Sequence, residues 1–319
     1  MGAKKILITG SKGVIGTWLA NILRSKGHEV FCIDLQHDVG ETGYEQKMSS
    51  SEFYYSRCDI SDYRQIARIF EHKNFDFVYN CAAEFGRWNG EDFYEQVWKT
   101  NAIGLKNILR LQIIFKFKLI HFSSSEVYGD FEDVMSEDVM EKYEIKQLND
   151  YALSKWVNEQ QIRNHLAQYN LSAVVVRIFN TYGPGEFYHP YRSVNAKFCY
   201  NLLHSIPIDL YTGHKRTSTY LEDTVKTLSN IIDNFKSGET YNIGGAKLHT
   251  IEELVDKVVK YTNADPTLVK IHNYSEKMTT KQKIVDVSKS IKDLNHKNSI
   301  DLDEGIKKTV EWMKQYYNI

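Results

Sequence analysis

Tyr151 and Lys155 stand four residues apart in a stretch with helical character, so their side chains share one face. A phenol with a pKa of about 10 is a poor base at neutral pH. An ammonium one helical turn away favours the phenolate and lowers that value. The pair then has the means to take a proton from a carbinol. Upstream lies Ser123-Ser124-Ser125-Glu126-Val127-Tyr128-Gly129. A serine hydroxyl there can bridge the phenol and a substrate oxygen, and the three serines compete for that role. The Tyr-x-x-x-Lys spacing also describes many solvated helix pairs; it gains meaning from what precedes it.

The chain opens with a strand pattern, Lys5–Thr9, that runs into Gly10-Ser-Lys-Gly13-Val-Ile15-Gly16 and then a helix. Glycines let the backbone turn tightly and approach a pyrophosphate, and the helix N-terminus offers free N–H groups and positive dipole. Gly10, Gly13, Ile15 and Gly16 are therefore candidate cofactor contacts, spaced Gly-x-x-Gly-x-x-Gly rather than the commoner Gly-x-Gly-x-x-Gly. Asp34 ends the second strand pattern, about twenty residues on. A carboxylate there accepts from a ribose 2′-hydroxyl and repels a 2′-phosphate, which favours NAD over NADP. Asp59 and Ile60, after the next strand, hold the position of an adenine contact. Asn80-Cys81-Ala82-Ala83-Glu84 ends a further strand with residues small enough for backbone to pass close to a cofactor. NAD would then take a hydride while Tyr151 takes the proton.

These groups need a scaffold, and the first half of the chain supplies one. Strands are expected at Lys5–Thr9, Glu29–Asp34, Phe53–Arg57, Phe75–Cys81, Lys118–Phe122 and Ser172–Ile178. Between them lie helical patterns at Gly13–Ser25, Asp62–His72, Asp92–Gln112 and Asn149–Tyr169. Repeated β-α-β units with Val- and Ile-rich strands predict an α/β fold, a Rossmann-type doubly wound parallel sheet with right-handed crossovers. After Asn180 the regularity is lost. Tyr182–Arg192 reads as a Gly-, Pro- and Tyr-rich loop, followed by helices at Ser193–His204, Leu221–Asn234, Thr250–Tyr261 and Leu302–Tyr316 and strands at Ile208–Tyr211 and Thr240–Ile243. Residues 1–180 are expected to bind the dinucleotide, with segments near 220–250 returning to that unit. Residues 181–319 are expected to form mainly a smaller C-terminal substrate-binding lobe.

Composition bounds the partners. The chain has 319 residues, 42% hydrophobic and 25% charged, enough for a packed core and a solvated surface. Forty Lys and Arg nearly cancel forty-one Asp and Glu, so no global field draws nucleic acid or an anionic membrane. An anionic substrate must be held by local groups. Cys32, Cys58, Cys81 and Cys199 form no Cys-x-x-Cys pair, which fits reduced thiols and a cytoplasmic location. No metal site, membrane span, secretory signal or myristoylation pattern is expected.

With these residues in place, the chain resembles the extended short-chain dehydrogenase/reductase family of nucleotide-sugar epimerases, dehydratases and decarboxylases over its whole length. The resemblance rests on the glycine turn, Asp59-Ile60, Ala82-Ala83, Thr100-Asn101 and Ser123 to Gly129. It extends through Tyr151-Ala-Leu-Ser-Lys155, Arg177-Ile-Phe-Asn180-Thr-Tyr-Gly-Pro184, and Arg216 through Asp223. It implies that Ser124, three residues before Val-Tyr-Gly, is the bridging hydroxyl, Tyr151 the base and Lys155 its electrostatic partner. It implies further that Asn101 packs or orders water near the cofactor. Asn180 and Arg216 would hold a substrate diphosphate, the fork of an arginine pairing well with phosphate oxygens. Residues 213–220 depart from the family's aromatic-containing pattern after the arginine. The loop ending at Arg192 reads as a lid or as a plain interlobe connection. Helices Asp92–Gln112 and Asn149–Tyr169 match those that pair as a four-helix bundle in family homodimers, with Trp98, Ile108 and Trp156 as possible contacts.

The resemblance also frames the reaction. Oxidation at sugar carbon 4 comes first. In 4,6-dehydratases a glutamate at the position of Glu126 removes the carbon-5 proton, and Ser125 would then face the departing carbon-6 hydroxyl. Glu84 resembles glucose-type dehydratases, whereas Ser125-Glu126 looks more like GDP-mannose-type dehydratases and UDP-glucuronate decarboxylases. The expectation is a nucleotide-sugar 4,6-dehydratase. A UDP-glucuronate decarboxylase-like enzyme is the first alternative and a 4- or 3,5-epimerase the next. A non-catalytic NAD-binding sensor is the alternative of another class; the presence of Ser124, Tyr151, Lys155, Asn180 and Arg216 together argues against it.

Overall fold

Ile6 and Ile8 enter one apolar layer and Leu7 the other, and all three are fully buried. A strand that buries both faces belongs inside a sheet covered on both sides, which is why its sequence does not alternate. The computed structural model describes residues 2–36 and 54–319. Strands β1 (Lys5–Thr9), β2 (Glu29–Asp34), β3 (Tyr54–Arg57), β4 (Phe77–Asn80), β5 (Lys118–Ser124), β6 (Ala173–Ile178) and β7 (Thr240–Ile243) form a parallel sheet. Their order is β7-β6-β5-β4-β1-β2-β3. Helices α1 (Val14–Ser25) and α7 (Leu221–Asn230) cover one face. Helices α2 (Tyr63–His72), α4 (Gly104–Phe115) and α5 (Asp150–Tyr169) cover the other. The strand order reverses between β1 and β4, the crevice where such sheets bind ligands at their carboxyl ends.

Most expected elements stand within a residue or two of their places. Phe53, the expected start of the third strand, lies outside the described residues. The fourth strand is shorter than Phe75–Cys81, and β5 runs two residues further than expected, to Ser124. The single helix expected over Asp92–Gln112 is broken. Helix α3 (Arg87–Asp92) stops at Phe93 (φ −135°), and a short turn at Tyr94–Val97 leads into a π-helical stretch, Trp98–Ile103, before α4. Such stretches recur where a side chain must point inward; here it is Asn101, 2% exposed. Ile108 lies in the core against the sheet, Trp98 donates to Asp150 Oδ1 (2.8 Å) and Trp156 packs beside Val127 and Tyr128. All three expected intersubunit contacts thus make contacts within their own chain.

A second apolar core joins Tyr182 to α6 (Val194–Leu203), α8 (Ile251–Thr262) and α9 (Leu302–Tyr317). Thr250 and Glu253 close a reciprocal capping box at the start of α8. Two strand pairs decorate this core: the expected strand Ile208–Tyr211 pairs with Val269–His272, and Lys215–Thr217 pairs with Leu248–Thr250, three strands that the sequence pattern did not reveal. Among the described residues no helix is long and apolar enough to cross a membrane.

Candidate active site

The glycine turn sits at the switch crevice, and its shape tolerates no side chain at two positions. Gly10 has φ +66°, and a Cβ there would lie 2.6 Å from the Ala82 backbone; one at Gly16 would lie 2.4 Å from the Gly10 carbonyl oxygen. The end of β1, the start of α1 and the end of β4 therefore meet backbone to backbone, leaving N–H groups at the helix start for phosphate. Ile15 packs on the sheet core. The Asp34 carboxylate closes the turn by accepting from Lys12 N–H (2.9 Å) and Gln36 N–H (3.1 Å). Asp59 follows β3, accepts from the Ser61 N–H (2.8 Å) and hydroxyl (2.6 Å), and lies 3.8 Å from Lys99 Nζ. Ile60 is buried where a Cβ on Gly104 would meet it at 2.7 Å, so its side chain serves packing.

Asn101 explains the π-helical stretch. Its Oδ1 accepts from Glu84 N–H (2.9 Å), and its Nδ2 donates to the Glu84 carbonyl (3.0 Å) and Ser154 Oγ (2.9 Å). It thereby clips the segment Ala82-Ala83-Glu84 to α5. Ala82 N–H donates to Thr9 Oγ1 (3.2 Å). These residues fit a dinucleotide: a glycine cradle, a helix N-terminus and a carboxylate at the ribose end.

Three successive serines end β5 and part company. Ser123 donates to Glu159 Oε1 (2.5 Å), itself in a buried ion pair with Arg177 (2.7 Å). Ser124 accepts from Glu126 N–H (3.2 Å) and interacts with the Tyr151 hydroxyl. Ser125 is buried at the cavity wall. Tyr151 occupies the first turn of α5, fixed by the cap Asn149, whose Oδ1 accepts from Ala152 N–H (2.8 Å). Gly90 of α3 abuts it, since a Cβ there would lie 2.9 Å from Tyr151 N.

Burial pushes the Tyr151 phenol up to about 12, against a smaller downward pull from Ser124. The expected lowering by Lys155 is not found. The ammonium stands 5.9 Å from the phenol ring, donates to the Phe122 carbonyl (2.8 Å), and is itself pushed down to about 8 by burial. In a dry site, desolvation outweighs the attraction expected for a solvated pair.

Ser124, Ser125, Glu126, Tyr151, Asn180, Arg192 and Arg216 line one cavity of about 500 Å³. Glu84 is not in its wall; its carboxylate accepts from Asn89 Nδ2 (3.1 Å). Asn180, at φ +36°, donates to the Thr217 carbonyl (3.2 Å). Arg216 is buried, and its two Nη groups donate to four oxygens of Lys215, Thr279, Thr280 and Lys281 at 2.7–3.0 Å. Burial lowers it to about 10. Arg192 lies over the Phe85 ring, 4.2 Å from its centroid.

Two cations that no motif marks act on Glu126, and of these Arg87 lines the cavity. The Lys283 ammonium, 3% exposed, pairs with Glu126 Oε1. Arg87 pairs with Glu276 (3.0 Å) and donates to the Lys277 carbonyl (2.9 Å). Burial drives the Glu126 carboxyl upward, but Lys283, Arg87 and Arg216 together outweigh it and hold it below the usual carboxylate range. His214 accepts from Glu276 N–H (3.1 Å) at Nε2 and so presents Nδ1–H to the Thr280 carbonyl (3.2 Å). The segment from Glu276 to Lys283 is thus strapped across the cavity.

A family model described as the NAD dependent epimerase/dehydratase family matches residues 6–244. The chain is 28% identical to a UDP-N-acetyl-α-D-glucosaminuronate decarboxylase of Bacillus cytotoxicus, over 99% of each chain. It is 28% identical to a dTDP-glucose 4,6-dehydratase of Salmonella typhimurium, over 97% of this chain and 92% of that one. Among solved structures it is similar to Pal from Bacillus thuringiensis, with a TM-score of 0.86 and 25% identity over 98% of this chain and 99% of that one.

Proposed function

The chain belongs to the NAD dependent epimerase/dehydratase family and takes NAD as cofactor, and from that premise we propose that it oxidises a nucleoside diphosphate uronic sugar at carbon 4 and releases carbon 6 as carbon dioxide. The observation that carries the proposal is the Glu126–Lys283 pair, its ammonium buried and its carboxylate half-buried. Among the described residues, the carboxylates that act on Arg87, Arg216 and Lys283 are Glu126 and Glu276. A surplus cation in a dry wall is best compensated by a substrate carboxylate.

NAD, which the turn from Gly10 to Gly16 and the Asp34 carboxylate would hold, would supply the acceptor for the carbon-4 hydride and its donor when the hydride returns. Tyr151, supported by Ser124, takes the carbinol proton. The ketone so formed is β to the carbon-6 carboxylate. Electrons of the bond between carbons 5 and 6 then flow toward the ketone as carbon dioxide departs, and the enolate is protonated at carbon 5. Tyr151 finally returns its proton to the carbon-4 oxygen as the hydride comes back to carbon 4. No strong base is needed at carbon 5, which suits a Glu126 held ionised below its ordinary range.

The 4,6-dehydratase reading keeps one observation in its favour, the Glu126 carboxylate in the cavity wall beside Ser125. There Glu126 would have to leave Lys283 to act as base. Incubation of the NAD-loaded protein with UDP-glucuronate, UDP-N-acetylglucosaminuronate, UDP-glucose, dTDP-glucose and GDP-mannose, read by mass spectrometry, separates the two. Loss of carbon dioxide from a uronate is expected. Loss of water from a neutral hexose, with no reaction of either uronate, would overturn the proposal.

A further inference from the structure

The loop that carries Arg192 holds an acid used by no step above. Glu186 is 3% exposed, its Oε2 has no hydrogen-bond partner, and its Oε1 receives only a long contact from the Ser193 hydroxyl (3.5 Å). Six residues on, Arg192 lines the substrate cavity with a buried Nε that also lacks a partner. The two side chains sense each other without forming an ion pair, for Arg192 is the charge that pulls Glu186 down. Among the described residues, the groups acting on Glu186 are Arg192 and Ser193, with the buried Cys199 thiol facing it from α6.

The backbone around this pair is pinned. Trp18 of α1 donates to the Pro184 carbonyl (3.0 Å). Tyr188 stacks on Tyr200 at 3.9 Å and donates its N–H to the Tyr317 hydroxyl (3.2 Å), and the Tyr191 hydroxyl donates to Asp92 (2.7 Å). Phe187 sits against Trp312 and Tyr316 of α9. Rearrangement is thereby left to side chains. A guanidinium with a spare donor at the cavity and a carboxyl with a spare acceptor behind it make a pair in which an external anion replaces the internal one.

We propose that Glu186 is the counter-charge Arg192 gives up when the substrate diphosphate binds, so that nucleotide-sugar binding takes up a proton at Glu186. The inference rests on the reading above that the cavity takes a nucleoside diphosphate sugar. Burial holds the free carboxyl at about 7. Withdrawing the cation removes the one charge that lowers it, so the carboxyl protonates. Uptake should reach at most roughly half a proton per site at pH 7 and fade near pH 6, where the free carboxyl already holds its proton.

Calorimetry of the NAD-loaded protein with UDP-glucose and with dTDP-glucose, in buffers of differing ionisation enthalpy, counts these protons; neither ligand titrates in this range. Glu186→Gln should bind at least as tightly and take up none. Arg192→Gln should bind at least tenfold more weakly, also without uptake. Wild-type binding with no uptake, or uptake that persists in Glu186→Gln, overturns the proposal. If neither ligand binds, the substrate reading itself fails, and the Glu186–Arg192 coupling is then judged by carbon-13 NMR of the Glu186 carboxyl. Arg192→Gln should raise its midpoint; an unmoved midpoint sinks the coupling.

Discussion

Replacing Lys283 with methionine keeps the length of a side chain that is 3% exposed and deletes its charge, leaving Glu126, 20% exposed, without its partner. Breaking a buried pair costs about 3–5 kcal/mol in general. The lower end applies here, because Glu126 keeps some contact with water and Arg87 and Arg216 still act on it. Glu126→Gln/Lys283→Met should be more stable than Lys283→Met alone, since it strands no charge. Function should change selectively. A charge-assisted hydrogen bond contributes about 1.5–3 kcal/mol, and each 1.4 kcal/mol is about tenfold. Lys283→Met should therefore lose roughly ten- to a hundredfold in kcat/KM on a nucleoside diphosphate uronate, and Lys283→Arg should regain part of it. Binding of a neutral hexose nucleotide should move by less than about threefold, because no comparable charge is lost. Urea denaturation, steady-state kinetics on the uronate and calorimetry with the neutral analogue give the three readouts. Equal losses on acidic and neutral ligands would refute the carboxylate reading and reduce Lys283 to a structural partner of Glu126.

Lys155→Met should abolish turnover yet raise Tm at pH 7. Burial lowers the ammonium from 10.5 to about 8, a penalty of about 3 kcal/mol at 1.36 kcal/mol per unit, offset by about 1 kcal/mol for the lost bond to the Phe122 carbonyl. The unfolded chain binds this proton more tightly, so wild-type stability should climb between pH 8 and 10.5 and the variant's advantage should fade there; a Tm below wild type at pH 7 would contradict this. Gly90→Ala should push the Tyr151 backbone, which a Cβ would approach to 2.9 Å, and lower kcat at least tenfold with NAD affinity unchanged, since misplacement of a reacting group is expensive. Unaltered kcat would show that α3 does not set the phenol's position.

The sheet was legible because burial on both faces writes itself as continuous apolar runs; β1, β2 and β7 stand where the sequence placed them. The break in the helix before α4 was not, because its cause is tertiary. Asn101 turns inward to bond Glu84 and Ser154, and one asparagine in a helical pattern announces nothing of the kind. Lys283 was hidden for a similar reason. It shares a polar stretch with Lys277 and Lys281, and only its partner, 157 residues away in sequence, brings it inside. Spacing singled out Tyr151 and Lys155 and the family resemblance Ser124, and the structure brings Ser124 to the Tyr151 hydroxyl; the phenol's upward shift was not legible, because spacing carries no information on how dry a site is.

The end of β5 shows how one short segment can serve separate chemistries. The pleat turns Ser123 and Ser124 to opposite faces. Ser123 therefore joins the Glu159–Arg177 network, in which Arg177 also donates to the Tyr128 hydroxyl (2.8 Å) and Tyr128 in turn to Asn242 (2.8 Å), fixing β5 to β6 and β7. Ser124 is left facing Tyr151. The chain then tightens into a 3₁₀ turn over Ser125–Tyr128, which carries Glu126 to Lys283. A phenol pushed up and a carboxyl held down thus meet at the same anchored strand end, the phenol through the Ser124 side chain and the carboxyl two residues beyond it. Desolvation sets the first and the neighbouring cations the second, and the two are coupled, because the Glu126 charge adds a smaller upward push to the phenol. A substitution at Lys283 therefore acts first on Glu126 and reaches the phenol only through that carboxylate's charge.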